Sequence, residues 1–184
     1  MEPNEPNEPN PPHALWAPWR VAYFSAPPQP DFLLEAARTT EDRAHLVLLR
    51  RRYCFLMLNR YPYAVGHLMA VPYRKVGATA DLSEGERVEL WELADIGQQL
   101  LREAVGAEGF NVGLNLGKCA GAGVVDHLHL HIVPRRSGDH NFMPVLGGAH
   151  VHSEAMEAVY DRLAALLLRA GAGREGGEGS SIRG

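Results

Sequence analysis

Three of the nine histidines fall within five residues: His127, His129 and His131, in the run His-Leu-His-Leu-His-Ile-Val-Pro. A neutral imidazole is a nucleophile and a metal ligand, and its charge changes near neutral pH. In an extended chain alternate side chains point to opposite faces. The spacing therefore predicts a strand whose three rings share one face, open to a ligand, while Leu128, Leu130 and Ile132 bury on the other. Three imidazoles on one face need partners, a function, or both, because burying polar groups unpaired is costly. A hydrogen-bonded inert cluster, a three-histidine metal site and phosphate chemistry would each use such a face. Against the metal, carboxylates are few: Asp126 adjoins the run and no glutamate lies near it. For phosphate, the run from Gly117 through Lys118, Gly121 and Gly123 lies just upstream. Its small residues clear space for backbone N–H groups to approach an anion, and Lys118 adds a positive charge.

The elements that must position these residues are legible in outline. Residues 44–49, 52–58 and 67–71 read as strands, with Asn59 to Tyr63 as a loop and Pro72 as a stop. Ser83 followed by Glu86 is a capping box, and it opens the longest helix, over 83–105. Leu90, Trp91, Leu93, Ala94, Gly97, Leu100, Leu101 and Ala104 give this helix one buried stripe. Gly106 ends it. Residues 110–116 and 126–133 read as two more strands. Ser153 caps a last helix whose face is Met156, Val159, Tyr160, Leu163, Leu166 and Leu167. This order predicts an α+β domain, an antiparallel sheet with a long helix packed on one face and a C-terminal helix.

At 184 residues the chain is one domain's length. Residues 1–12 repeat Glu, Pro and Asn and cannot bury a core, so they read as a disordered tail. Residues 13–171 form the domain, and 172–184, rich in Gly and Ser, form a second tail. The close pair Trp16 and Trp19 predicts an irregular arm that packs on a surface. The net charge of −4 argues against a general nucleic-acid or anionic-membrane binder. Cys54 and Cys119 form neither a disulfide framework nor a cysteine-rich zinc site. With no apolar run near membrane length and no signal peptide, the reading is a cytoplasmic protein.

The run from His127 to Val133 matches the signature of the histidine triad (HIT) family, in which three histidines alternate with apolar residues. Phe55 to Arg60, followed by Gly66-His67, resembles the nucleoside-binding strand pair of that family. Leu15 to Arg20, Gly109 to Gly117 and Gly138 to Phe142 resemble the bacterial diadenosine tetraphosphate phosphorylases within it. The resemblance covers about 14–170. It implies a HIT-like fold and cleavage of dinucleoside polyphosphates at an α-phosphate. His129 would be the nucleophile, forming a nucleotidyl-histidine, and His127 and His131 would orient it and bond the phosphate or leaving group. Asn59 would bind the ribose, Leu58 would touch the nucleoside, Asn115 would contact the phosphate region and His67 would support the triad. The implied acceptor is inorganic phosphate or water, and the implied assembly is a homodimer, a tetramer being the other possibility. No tightly bound cofactor or structural zinc is implied, and Mg²⁺ would arrive with the nucleotide. Where relatives carry Ser or Thr ahead of the triad, this chain has Gly123, Val124 and Val125. That departure leaves two alternatives in place: hydrolysis of phosphoramidates or simple adenine nucleotides, and a low-turnover nucleotide sensor.

Overall fold

The computed structural model describes residues 31–137, 139 and 154–175. The tail 1–12, the tryptophan arm, most of the 138–142 motif and the Ser153 cap lie outside the described residues, as does everything after Glu175. Chain order is α1 (Phe32–Arg38), β1 (Val47–Arg50), β2 (Cys54–Leu58), β3 (Leu68–Pro72), α2 (Glu84–Val105), β4 (Gly109–Leu114), β5 (Leu130–Arg135) and α3 (Met156–Glu175). All neighbouring strands run antiparallel, in the order β1-β2-β3-β5-β4.

The alternating apolar residues of the central strands feed two cores, one on each face. Leu56, Leu58, Leu68, Ala70, Leu130 and Ile132 pack with Leu90, Leu93, Ala94 and Leu101 of α2 and with Val159 and Leu163 of α3. Gly97 lets α2 approach: a Cβ there would stand 3.2 Å from Leu68 Cδ1. The predicted capping box is present, with Ser83 accepting from the Glu86 N–H and the Glu86 carboxylate accepting from the Ser83 N–H. Gly106 ends α2 in the left-handed region, at φ 65°.

Several expectations need correction. Trp91 does not join the buried stripe; it is 58% exposed, because it follows Leu90 by one residue and so sits about 100° around the helix. The first strand starts only at Val47, after Leu46 at φ 60° and at a register shift. Helix α3 runs past residue 171 to Glu175. The sequence reading also has no counterpart to α1, which is seven residues long and capped by the Asp31 carboxylate accepting from the Leu34 N–H. This helix covers the second face of the sheet, where Leu33 and Ala36 pack on Phe55, Met57, Met69 and Val71.

The largest correction concerns the triad. Strand β5 begins at Leu130, so His127 and His129 precede it and only His131 lies within it. The backbone groups of this segment go elsewhere: the Leu128 N–H donates to the Val76 carbonyl at 2.7 Å. Facing still alternates, since Leu128, Leu130 and Ile132 all enter the α2 core.

Candidate active site

The three histidines stand on the α1 face of the sheet, and they are buried there rather than open. Relative exposure is 0% for His127, 8% for His129 and 7% for His131. Across the ladder His131 is opposite Met69 on one side and Gly113 on the other. A Cβ at Gly113 would meet nothing within 4 Å, so space remains open beside the His131 ring.

Hydrogen bonds determine which nitrogen of each ring carries a proton. His129 Nδ1 lies 2.9 Å from the main-chain oxygen of His127. A carbonyl only accepts, so Nδ1 carries the hydrogen and the Nε2 lone pair is left for chemistry. Burial, and next the charge of His127, push the His129 imidazolium below its ordinary 6.5, although the bond to the His127 carbonyl opposes them. The ring is thereby held neutral and nucleophilic.

His67, which begins the turn into β3, is fully buried. Its Nδ1 accepts from the Tyr63 N–H at 3.1 Å and from the Asn59 amide at 3.3 Å. Burial, followed by repulsion from His131 and His129, holds His67 well below 6.5, so it is neutral. A neutral ring that accepts at Nδ1 must carry its hydrogen on Nε2, which lies 3.0 Å from His131 Nδ1. His131 therefore accepts at Nδ1 and carries its own hydrogen on Nε2. That group meets the Asn115 amide at 3.3 Å, and Asn115 also lies 3.5 Å from the Tyr63 hydroxyl. The amide orientation consistent with this chain of donors presents the Asn115 oxygen to both. The run Tyr63–His67–His131–Asn115 is thus one directed sequence of hydrogen bonds, in which His131 Nε2–H is the last donor and the Asn115 oxygen the acceptor.

Of the residues expected at the site, His129, His131, His67, Asn115 and Asn59 are brought together. Asn59 is buried and its oxygen is engaged by the Tyr61 N–H at 2.9 Å. The Leu58 side chain is not on this face. It points into the α2 core and lines, with Val65, Met156 and Val159, a cavity of about 180 Å³. The glycine-rich run is less free than its composition suggests. Gly117 and Gly121 take positive φ around a short 3₁₀ turn, Lys118–Ala120. The amides of Ala120, Gly121 and Ala122 bond back to Gly117 and Lys118. Those of Gly123, Val124 and Val125 have no hydrogen-bond partner among the described residues. Tyr63 has no signal in the sequence, because as a loop residue between strands it reads as a connector.

A family model for the HIT domain matches residues 40–138. The chain belongs to the histidine triad family. It is 40% identical over 146 residues to an AP-4-A phosphorylase of Mycobacterium tuberculosis, covering 74% of this chain and 75% of that one. It is 31% identical over 93 residues, half of each chain, to the asymmetrical bis(5'-nucleosyl)-tetraphosphatase of Schizosaccharomyces pombe. In fold it resembles the diadenosine triphosphate hydrolase of Plasmodium falciparum, with a TM-score of 0.55, 22% identity, and 70% of this chain and 79% of that one covered. Among the described residues of this HIT protein no helix is long and apolar enough to cross a membrane.

Proposed function

We propose that this HIT protein is an enzyme that cleaves dinucleoside polyphosphates, with inorganic phosphate as the acceptor. The observation that carries the reading is the state of His129: a neutral ring whose Nδ1–H is tied to the His127 carbonyl at 2.9 Å, leaving Nε2 as the nucleophile. Nε2 attacks the α-phosphorus, a P–N bond forms and the P–O bond to the bridging oxygen breaks. The departing nucleoside polyphosphate takes the electron pair, and the His131 Nε2–H turns from the Asn115 oxygen to bond the charge that develops. Dividing one displacement in two lowers each barrier. The nucleotidyl-histidine is cationic, and its Nδ1–H bond to His127 strengthens with that charge. A phosphate oxygen then displaces Nε2, which recovers its lone pair. The amides from Gly123 to Val125, which have no hydrogen-bond partner among the described residues, supply donors to the transferring phosphate.

Phosphate is favoured over water because the M. tuberculosis relative, aligned over three quarters of its length, is named a phosphorylase. No resident metal enters the scheme, and Mg²⁺ would accompany the polyphosphate. A second copy of the chain is the assembly this reading expects, and the cytoplasm its compartment. The test is incubation with diadenosine tetraphosphate with and without inorganic phosphate. ATP and ADP formed only with phosphate, and lost in His129→Ala with nucleotide binding kept, is the expected result. Undiminished turnover in His129→Ala would overturn the mechanism, and cleavage without phosphate would reassign the acceptor to water.

A further inference from the structure

The nucleophile rests on the main-chain oxygen of His127, yet residues 127–129 lie before β5 and have no strand ladder to hold them. Side chains and one amide hold them instead. His127 is wholly buried, and its Nε2 donates to the Pro72 carbonyl at 2.9 Å. Its other nitrogen, Nδ1, has no hydrogen-bond partner among the described residues and faces the Asp31 carboxylate at 3.7 Å. Both ring nitrogens are thus turned into the protein. His127 serves the reaction through its carbonyl, which differs from the phosphate contact that the family resemblance implies for it.

Asp31 is anchored in turn. It caps α1, and Lys75 lies 2.8 Å from its carboxylate and 3.0 Å from that of Asp126, the residue before His127. Burial raises the Asp31 carboxyl, but the Lys75 hydrogen bond, the Leu34 N–H and the charge of His127 together bring it below its ordinary value. Lys75 also precedes Val76, whose carbonyl holds the Leu128 N–H. We infer that Asp31 and Lys75 are positioning residues of the transfer reaction: the Asp31–Lys75–Asp126 bridge, with His127 wedged against Asp31, holds 126–128 so that the His127 carbonyl meets the Nδ1–H of His129. This rests on the nucleophilic role proposed above for His129.

The test compares Lys75→Met, Lys75→Arg, Asp31→Asn and Asp126→Asn. Asparagine caps helices as well as aspartate, so Asp31→Asn keeps α1. Asp126 has a 71% exposed side chain, so its variant folds even if Lys75→Met does not. The expected result is a fall in kcat of about tenfold or more, the scale on which misplacing a reacting group acts, with KM within about twofold and recovery in Lys75→Arg. The independent reading is the ¹⁵N spectrum of His129, which shows hydrogen on Nδ1 in the wild type and mixed tautomers in Lys75→Met, Asp31→Asn and Asp126→Asn. Unchanged kcat and an unchanged His129 spectrum, with only the melting temperature lowered, would make the bridge a plain structural tie and overturn the inference. A raised KM at constant kcat would also overturn it, since Lys75 would then be binding substrate. If the wild type leaves diadenosine tetraphosphate intact, the function proposed above fails, while the His129 spectrum still decides the bridge.

Discussion

Replacing His67 by phenylalanine keeps a buried ring and deletes both of its nitrogens. In the native protein Nδ1 accepts from the Tyr63 N–H at 3.1 Å and the Asn59 amide at 3.3 Å, and Nε2 donates to His131 at 3.0 Å. The His67 ring is fully buried, so water does not take the place of its nitrogens. Losing a buried partner costs about 1–3 kcal/mol, and the three losses, at Tyr63, Asn59 and His131, offset in part by new apolar contact, give a destabilisation of about 3 kcal/mol or more. Urea denaturation at pH 7.5 reads this as a lower midpoint with an unchanged slope. The effect on turnover is separate. His131 loses the partner that sets its tautomer and ring angle, so its Nε2–H no longer aims reliably at the leaving oxygen. Misorientation on this scale lowers kcat by about ten- to a hundredfold, with KM little changed, because the ring acts on charge that develops in the transition state. The ¹⁵N spectrum of the wild type should show His131 protonated on Nε2 and His67 on Nε2. A wild-type spectrum with hydrogen on His131 Nδ1, or a His67→Phe enzyme with native midpoint and native kcat, would refute the directed hydrogen-bond sequence.

Other expectations follow from the same geometry. Gly66→Ala should destabilise by about 1–3 kcal/mol, because φ is +86° and the new Cβ would stand 2.8 Å from Leu101 Cδ2; a thermal midpoint within a degree of native would count against it. His67 sits well below 6.5 when folded, so below that pH the unfolded chain binds a proton that the folded chain refuses. Stability should therefore fall as pH drops through 6.5, by up to about 1.4 kcal/mol per pH unit for this residue, and a flat profile of denaturation midpoints between pH 7.5 and 5.5 would contradict the neutral buried ring. Glu86, held by Arg74 to about 2 from an ordinary 4.5, contributes stability that is present above the higher value and is lost as pH falls toward the lower. Glu86→Gln should remove that acid limb, so wild type and variant should converge in stability near pH 2 and differ most at neutral pH.

The sequence alone carries the chemistry of this protein and most of its framework. Three histidines spaced by two put three imidazoles on one side, because extended-chain geometry alternates residues whatever the rest of the chain does; the choice of His129 as nucleophile is what the family resemblance implies. The capping box and the stripe of α2 are equally local, since each depends on residues within a turn or two. What only the tertiary structure decided are the contacts between residues far apart in the chain. No local pattern shows that β5 begins after His129, because ladder pairing depends on which partner strand is in reach. The short helix α1 lacks enough residues for a periodic signal, and it stands only because Leu33 and Ala36 find the second core. The proton positions come from the meeting of Tyr63, His67 and His131, and the support of His127 from Asp31 and Lys75. Leu58 makes the same point in reverse: adjacent to Asn59 in sequence, it is turned to the opposite face by the pleat, so proximity along the chain does not place it at the site.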